Sequence, residues 1–286
     1  METNLQHFKV WKYGLFFLML FIISIGISIV FSGALNGLAG KAAVDLLMTG
    51  SLALYIYYNV KVLQIELNGR AMAGAMSPGR WAKYMGATLF VKLLGMFGAT
   101  TLVLLFLLAF PSSIDAVNAI LLEGSLQPEK PTIGVFLLLF VSLCIFTPIW
   151  EEIFFRGILF RRLAMRYRTT TSAVVSSLIF GLLHFGGNSI FHAVLVGLLF
   201  CYIYASTQNI WIPIILHGMG NFVSLLPVLF PPAATDSYVP THQELQEHVL
   251  ALGIPFVLCL VFATWLLKRH WPKMQRMRFI KEQREM

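Results

Sequence analysis

Charge is scarce in this chain. Only 12% of its 286 residues are Asp, Glu, Lys or Arg, while 58% are apolar and the mean hydropathy is +0.77. Soluble domains carry roughly 25% charged residues, so an ordinary water-soluble fold is excluded. Cysteine is also rare. Cys144, Cys201 and Cys259 each sit inside an apolar run with no paired spacing, which excludes a disulfide framework and a thiolate metal site. They read as small packing residues. No fixed-period repeat and no low-complexity tract occurs, and the connectors give no sign of a second domain.

What the chain has in abundance is long apolar runs. They fall at about 13–32, 42–60, 84–110, 133–150 with an extension, 171–187, 190–206, 211–230 and 250–267, each near the roughly 20 residues that cross a bilayer. The expectation is an all-α polytopic bundle of about eight transmembrane helices, one integral membrane domain over 1–286. The first run follows Lys9 and Lys12 as a signal peptide would, but it is too long for one and reads as an uncleaved helix.

The net charge of +8 raises the possibility of nucleic acid, and the positions of the basic residues dismiss it. An even helix count puts both termini on one side, and with that side the cytoplasm 18 of the 21 Lys and Arg residues fall inside, leaving Lys41 and Lys130 outside and Lys92 within a span. That asymmetry is the positive-inside rule. The basic tail over 268–286 is suited to anionic lipid.

Three charges stand against the fourth apolar run: Glu151, Glu152 and Arg156. Each costs about 2.5 to 3.5 kcal/mol in a membrane span, so something compensates them. Phe155, Ile158, Leu159 and Leu163 continue an apolar helical face past the acids, and arginines from Arg161 to Arg168 supply interfacial anchors. The fourth helix therefore extends through Glu151, and at about 29 residues it needs tilt or a kink near Pro148. On it Glu152 and Arg156 are i and i+4, the spacing of a side-chain ion pair, while Glu151 points about 100° away. His184 follows Phe180 by four residues in the fifth run, and His217 precedes Asn221 by four in the seventh, with Gly218 and Gly220 between. Counted inward at 1.5 Å per residue, Glu151, His184, His217 and Asn221 lie roughly 9 to 18 Å from the cytosolic boundary. A carboxylate beside an imidazole can polarise water, and an imidazole with an amide can donate to an oxyanion. Peptide hydrolysis fits, with no serine or cysteine nucleophile placed in these motifs.

The ordered triplet Glu-Glu-x-x-x-Arg (Glu151, Glu152, Arg156), Phe-x-x-x-His (Phe180, His184) and His-x-x-x-Asn (His217, Asn221) resembles the CPBP family. This family comprises the CAAX proteases and bacteriocin-processing enzymes, also called the Abi or type II CAAX prenyl endopeptidase family. The resemblance implies a catalytic core over 133–230. Glu151 and His184 would activate water, His217 and Asn221 would form the oxyanion site, and Glu152, Arg156 and Phe180 would support the geometry. It also implies a metalloprotease, with Zn2+ held by Glu151, His184 and His217 and an open position for water. There is no His-Glu-x-x-His here, and a metal-independent glutamate mechanism uses the same residues. The substrate would be a peptide or lipidated protein, CAAX-like or bacteriocin-like, reached from the cytosolic side of a bacterial plasma membrane. The alternatives are a non-catalytic membrane regulator or immunity protein of the same fold, and an ion transporter.

Other polar residues receive plainer readings. Asp45 and Lys92 read as snorkelling or as paired with each other, His192 as interfacial with the cavity wall as its alternative, and the six tryptophans as mostly flanking spans in an interfacial belt.

Overall fold

Every apolar run is helical in the computed structural model, which describes residues 5, 7–30, 37–65, 67, 76–113, 131–184, 189–229 and 242–276; no strand occurs among them. The helices are α1 Val10–Val30, α2 Leu38–Val62, α3 Pro78–Ala109, α4 Ile133–Ala164, α5 Thr169–Leu182, α6 Ser189–Thr207, α7 Trp211–Leu229 and α8 His242–Arg276. Seven are long and apolar enough to cross a membrane, and the protein is an integral membrane protein. Arg70, Lys130, the connections 114–130 and 230–241, and the tail from 277 onward lie outside the described residues.

The exception is α5. Its 14 residues reach about 21 Å at 1.5 Å each, short of the roughly 30 Å hydrocarbon core. The run read as 171–187 stops being α-helix at Leu182. Gly186, Gly187 and Asn188, which follow in the sequence, are poor helix formers. His184 therefore lies just past a helix end instead of inside a span. At the other extreme α8 starts at His242, earlier than the apolar run alone indicates.

The long α4 is not uniform. Thr132 caps it by accepting from the Val135 N–H, and it carries π-helical turns at Val141–Phe146 and Ile153–Phe160. Pro148 has no N–H to give, so the carbonyl four residues before it, Cys144, loses its ordinary partner. The register shifts just ahead of it: the Thr147 N–H bonds the Ser142 carbonyl, five residues back. In that register the Leu143 carbonyl would look to Pro148 and find no donor. Asn221 supplies one, its Nδ2 lying 2.8 Å from the Leu143 oxygen. The helix thus meets its proline by a π turn completed from α7. Close approach allows this, because a Cβ on Gly218 would stand 2.5 Å from the Cys144 carbonyl oxygen.

The same π turn ties α4 to α2. Ser142 donates to the Asp45 carboxylate and lies 3.1 Å from Thr49 Oγ1. Asp45 consequently does not pair with Lys92, which donates instead to Ser224 on α7. Nearest neighbours could not reveal this, since Ser142 is 97 residues from Asp45.

Helices α4 to α7 form the centre. Phe155, Ile158, Phe160, Phe180, Phe200, Ile203 and Leu216 are buried there, with α5 packed on α6, α7 on α4, and α3 against α6 and α8. Small residues let the helices close: a Cβ on Gly197 would sit 2.9 Å from the Ser177 Cβ. In α6 and α7, 44% of the apolar window is buried, against 6% in α1 and none in α8, so those two form the rim. Tyr13 is where α1 grips the centre, stacking on Phe154 at 4.3 Å. Trp150 is buried in this cluster and does not belong to an interfacial belt.

Candidate active site

Between the two π turns of α4 lies one short α-helical stretch, Thr147–Glu152, and it delivers both acids. Glu152 is fully buried. Its Oε1 accepts from Arg156 Nη1 at 2.8 Å and also lies 2.8 Å from His217 Nδ1. Glu151 Oε2 lies 3.7 Å from His217 Nε2 and has no hydrogen-bond partner. The imidazole of His217 is therefore flanked by a carboxylate at each ring nitrogen. The i, i+4 pair expected from spacing is present. Glu152 is nevertheless more than Arg156's partner, because it also orients His217.

Arg156 is 1% exposed in an apolar interior, and a single carboxylate oxygen is not its whole environment. Its guanidinium lies over the rings of Phe180, Phe200 and Phe155 at 4.5, 5.5 and 5.9 Å. Cation–π attraction strengthens when desolvated, and three ring faces here do what water does at a surface. Phe180 of the second motif is thus a wall of this cage. Its carbonyl also bonds His184 Nδ1 at 2.8 Å, and its ring centroid is 4.5 Å from that of His184. A carbonyl only accepts, so Nδ1 carries a proton, and the neutral ring keeps its lone pair on Nε2.

A cavity of about 210 Å³ opens beside this cluster, lined by His184, His217 and Asn221 together with Phe180, Phe200, Thr88, Lys92, His192 and Ser224. Three of the four residues assigned to chemistry from the sequence share its wall. Glu151 is not part of the lining and meets the cavity through His217. Asn221 has one amide hydrogen engaged by Leu143, and an amide nitrogen carries two.

Sequence reasoning missed the far wall. His192, read as interfacial, lines the cavity, and its Nε2 is buried without a hydrogen-bond partner. The signal for Lys92 was present: it stands in mid-helix, well past Arg80 and Lys83 at the start of the 32-residue α3. His192 offered an imidazole at the start of an apolar run; for Ser224 there was no signal. His192 reaches its place because α3 carries Gly95, where a Cβ would stand 2.6 Å from the His192 ring.

The donors named for zinc do not fit a metal as they stand. Among the described residues no three His, Cys, Asp or Glu side chains converge on one point. Both nitrogens of His217 already face carboxylates, and His184 Nδ1 faces a carbonyl. What the arrangement offers is a buried carboxylate oxygen without a partner, an imidazole held between two acids, a second imidazole held in one tautomer, and an amide at the cavity wall.

Residues 133–223, from the start of α4 into α7, match the family model described as Type II CAAX prenyl endopeptidase Rce1-like. A protein of Bacillus subtilis (strain 168), "Putative membrane peptidase YdiL", is 36% identical over 84 residues, which cover 29% of this chain and 34% of that protein. The chain thus spans about a third of that relative's length. No solved structure gives a significant match.

Proposed function

We propose, from the match of residues 133–223 to the Rce1-like family model, that the chain is an intramembrane endopeptidase of the CPBP/CAAX protease family and that its reaction runs on Glu151, His184, His217 and Asn221. The observation that carries this reading is His217 held between Glu151 and Glu152 on the wall of a cavity that also presents His184 and Asn221. Glu151 takes a proton from water while His184 Nε2 orients the water oxygen, and the oxygen adds to the scissile carbonyl carbon. The charge that develops on the carbonyl oxygen meets the second amide hydrogen of Asn221 and the Nε2 side of His217. Nδ1 is held by Glu152 at 2.8 Å, while Nε2, 3.7 Å from Glu151 and beyond hydrogen-bond range of it, is left to face the oxyanion. When the carbon–nitrogen bond breaks, the proton held by Glu151 passes to the departing amine. Glu152, Arg156 and Phe180 position these groups.

No step is routed through a metal, because the donors do not converge. The substrates proposed are membrane-associated peptides, CAAX-like or bacteriocin-like, met from the cytosolic side of a bacterial plasma membrane. Comparative peptidomics of cells expressing the wild type, Glu151→Ala and His184→Ala tests the reading. Cleavage products are expected to vanish in both variants, and unchanged processing in both overturns hydrolysis in favour of a non-catalytic regulator. With purified protein, exhaustive chelation is expected to leave hydrolysis within about twofold. Loss on chelation with rescue by Zn2+ restores the metalloprotease reading.

A further inference from the structure

The cavity has two unlike ends. At one, each acid faces a positive or protonatable partner: Glu152 faces Arg156 and His217, and Glu151 faces His217. At the other stands Lys92, halfway along α3, whose partner is the Ser224 hydroxyl. No carboxylate lies within ion-pair distance of its ammonium among the described residues. Gly95, one turn on along the same face of α3, admits the His192 ring, and His192 Nε2 lines the cavity without a partner. An ammonium, a hydroxyl and an imidazole nitrogen thus share one end of a half-open cavity, and no carboxylate within the described residues lies in ion-pair range of the ammonium. A charge so placed is answered by a partner or marks a site.

Resting on the proteolytic reading, we propose that Lys92, Ser224 and His192 form a subsite for a substrate carboxylate, which fixes where along the peptide the bond is cut. Position gives the register. His217 and Ser224 lie seven residues apart on α7, two turns on one face and about 10 Å along the axis. An extended peptide advances about 3.3 to 3.6 Å per residue, so the carboxylate sits about three residues from the bond under attack. Two sources carry this chemistry, an acidic side chain or the free C-terminus. The ammonium and hydroxyl recognise the group common to both. Lys92 and Ser224 are then specificity-determining residues that touch substrate away from the reacting atoms.

The test reads binding, so that it stands apart from catalysis. Full-length Glu151→Gln protein in nanodiscs is titrated with three dansylated apolar hexapeptides: one with a free C-terminus, one amidated, and one amidated with a glutamate near its end. At least one carboxylate peptide is expected to bind ten-fold or more tightly than the neutral amide, and which one does so identifies the source. Adding Lys92→Met is expected to collapse that ratio to about one, while Lys92→Arg keeps most of it. Ser224→Ala lowers it two- to four-fold. Equal binding of all three peptides overturns the proposal, as does a preference that survives Lys92→Met, or no saturable binding of either carboxylate peptide. A carboxylate preference in a wild-type protein that cleaves no peptide overturns the proteolytic reading alone. Cleavage without preference overturns this subsite alone.

Discussion

Two polar clusters meet at one cavity, one buried and one more open, and they are built on opposite plans. The Glu152–Arg156–His217 cluster pairs its charges internally: Glu152 Oε1 meets both Arg156 and His217 at 2.8 Å, and three aromatic rings surround the guanidinium, whose Nε and Nη2 have no hydrogen-bond partner among the described residues. The Lys92–Ser224–His192 cluster holds one cation, one hydroxyl and an unpartnered ring nitrogen. The first can form and stay formed without a ligand, which is what a scaffold for chemistry requires. The second is left incomplete, and incompleteness inside a membrane is a property of recognition sites. The difference also separates residues that are costly to remove for folding from those that are costly only for selectivity.

That contrast can be broken from the charge-paired side first. Arg156→Met roughly keeps the volume but leaves the buried Glu152 carboxylate with His217 as its remaining partner. Removing one partner of a buried pair costs about 3 to 5 kcal/mol, so the variant is expected to lose stability on that scale in a denaturant or thermal-shift measurement in detergent. Replacing Glu152 and Arg156 together by apolar residues is expected to recover much of that loss, with activity still absent. Asn221→Ala tests the next largest effect. It removes an oxyanion donor, worth about 100- to 1,000-fold in kcat, and also strands the Leu143 carbonyl. A kcat loss well below ten-fold overturns the oxyanion role. The smallest effect is expected at Asp45→Ala, which unties Ser142 from α2. Hydrogen bonds between membrane helices average about 0.6 kcal/mol and reach about 1.7, so a shift within that range is expected, with cleavage otherwise intact.

How legible each plan is in the sequence follows from chain separation. Glu152 and Arg156 are one helical turn apart, so the spacing rule reads their pair directly. Glu151, His184, His217 and Asn221 were readable as a group by depth, because helices crossing one slab carry a common ruler. The partner of the second ring nitrogen of His217 was not, since whether Glu151 or Glu152 takes it depends on how α4 rotates. Lys92 and Ser224 are 132 residues apart, and Lys92, read as snorkelling or as paired with Asp45, shows what a charge in a span reveals: that a partner is needed, not which. The apolar runs gave eight helices but misjudged α5, because hydropathy continues to Phe185 while the backbone stops at Leu182.

The π turn at Val141–Phe146 has one more consequence. A π turn is an α-helix with one residue in surplus, so α4 carries its active-site phase as a one-residue insertion ahead of Pro148. Winding the same residues as a plain α-helix, with none removed, would swing everything downstream by about 100° around the axis. Glu151, Glu152 and Arg156 would then turn together away from His217, their mutual spacing untouched. The motif would read unchanged in the sequence while the site it describes no longer existed, which makes the winding of the segment before the acids as much a part of the site as the acids themselves.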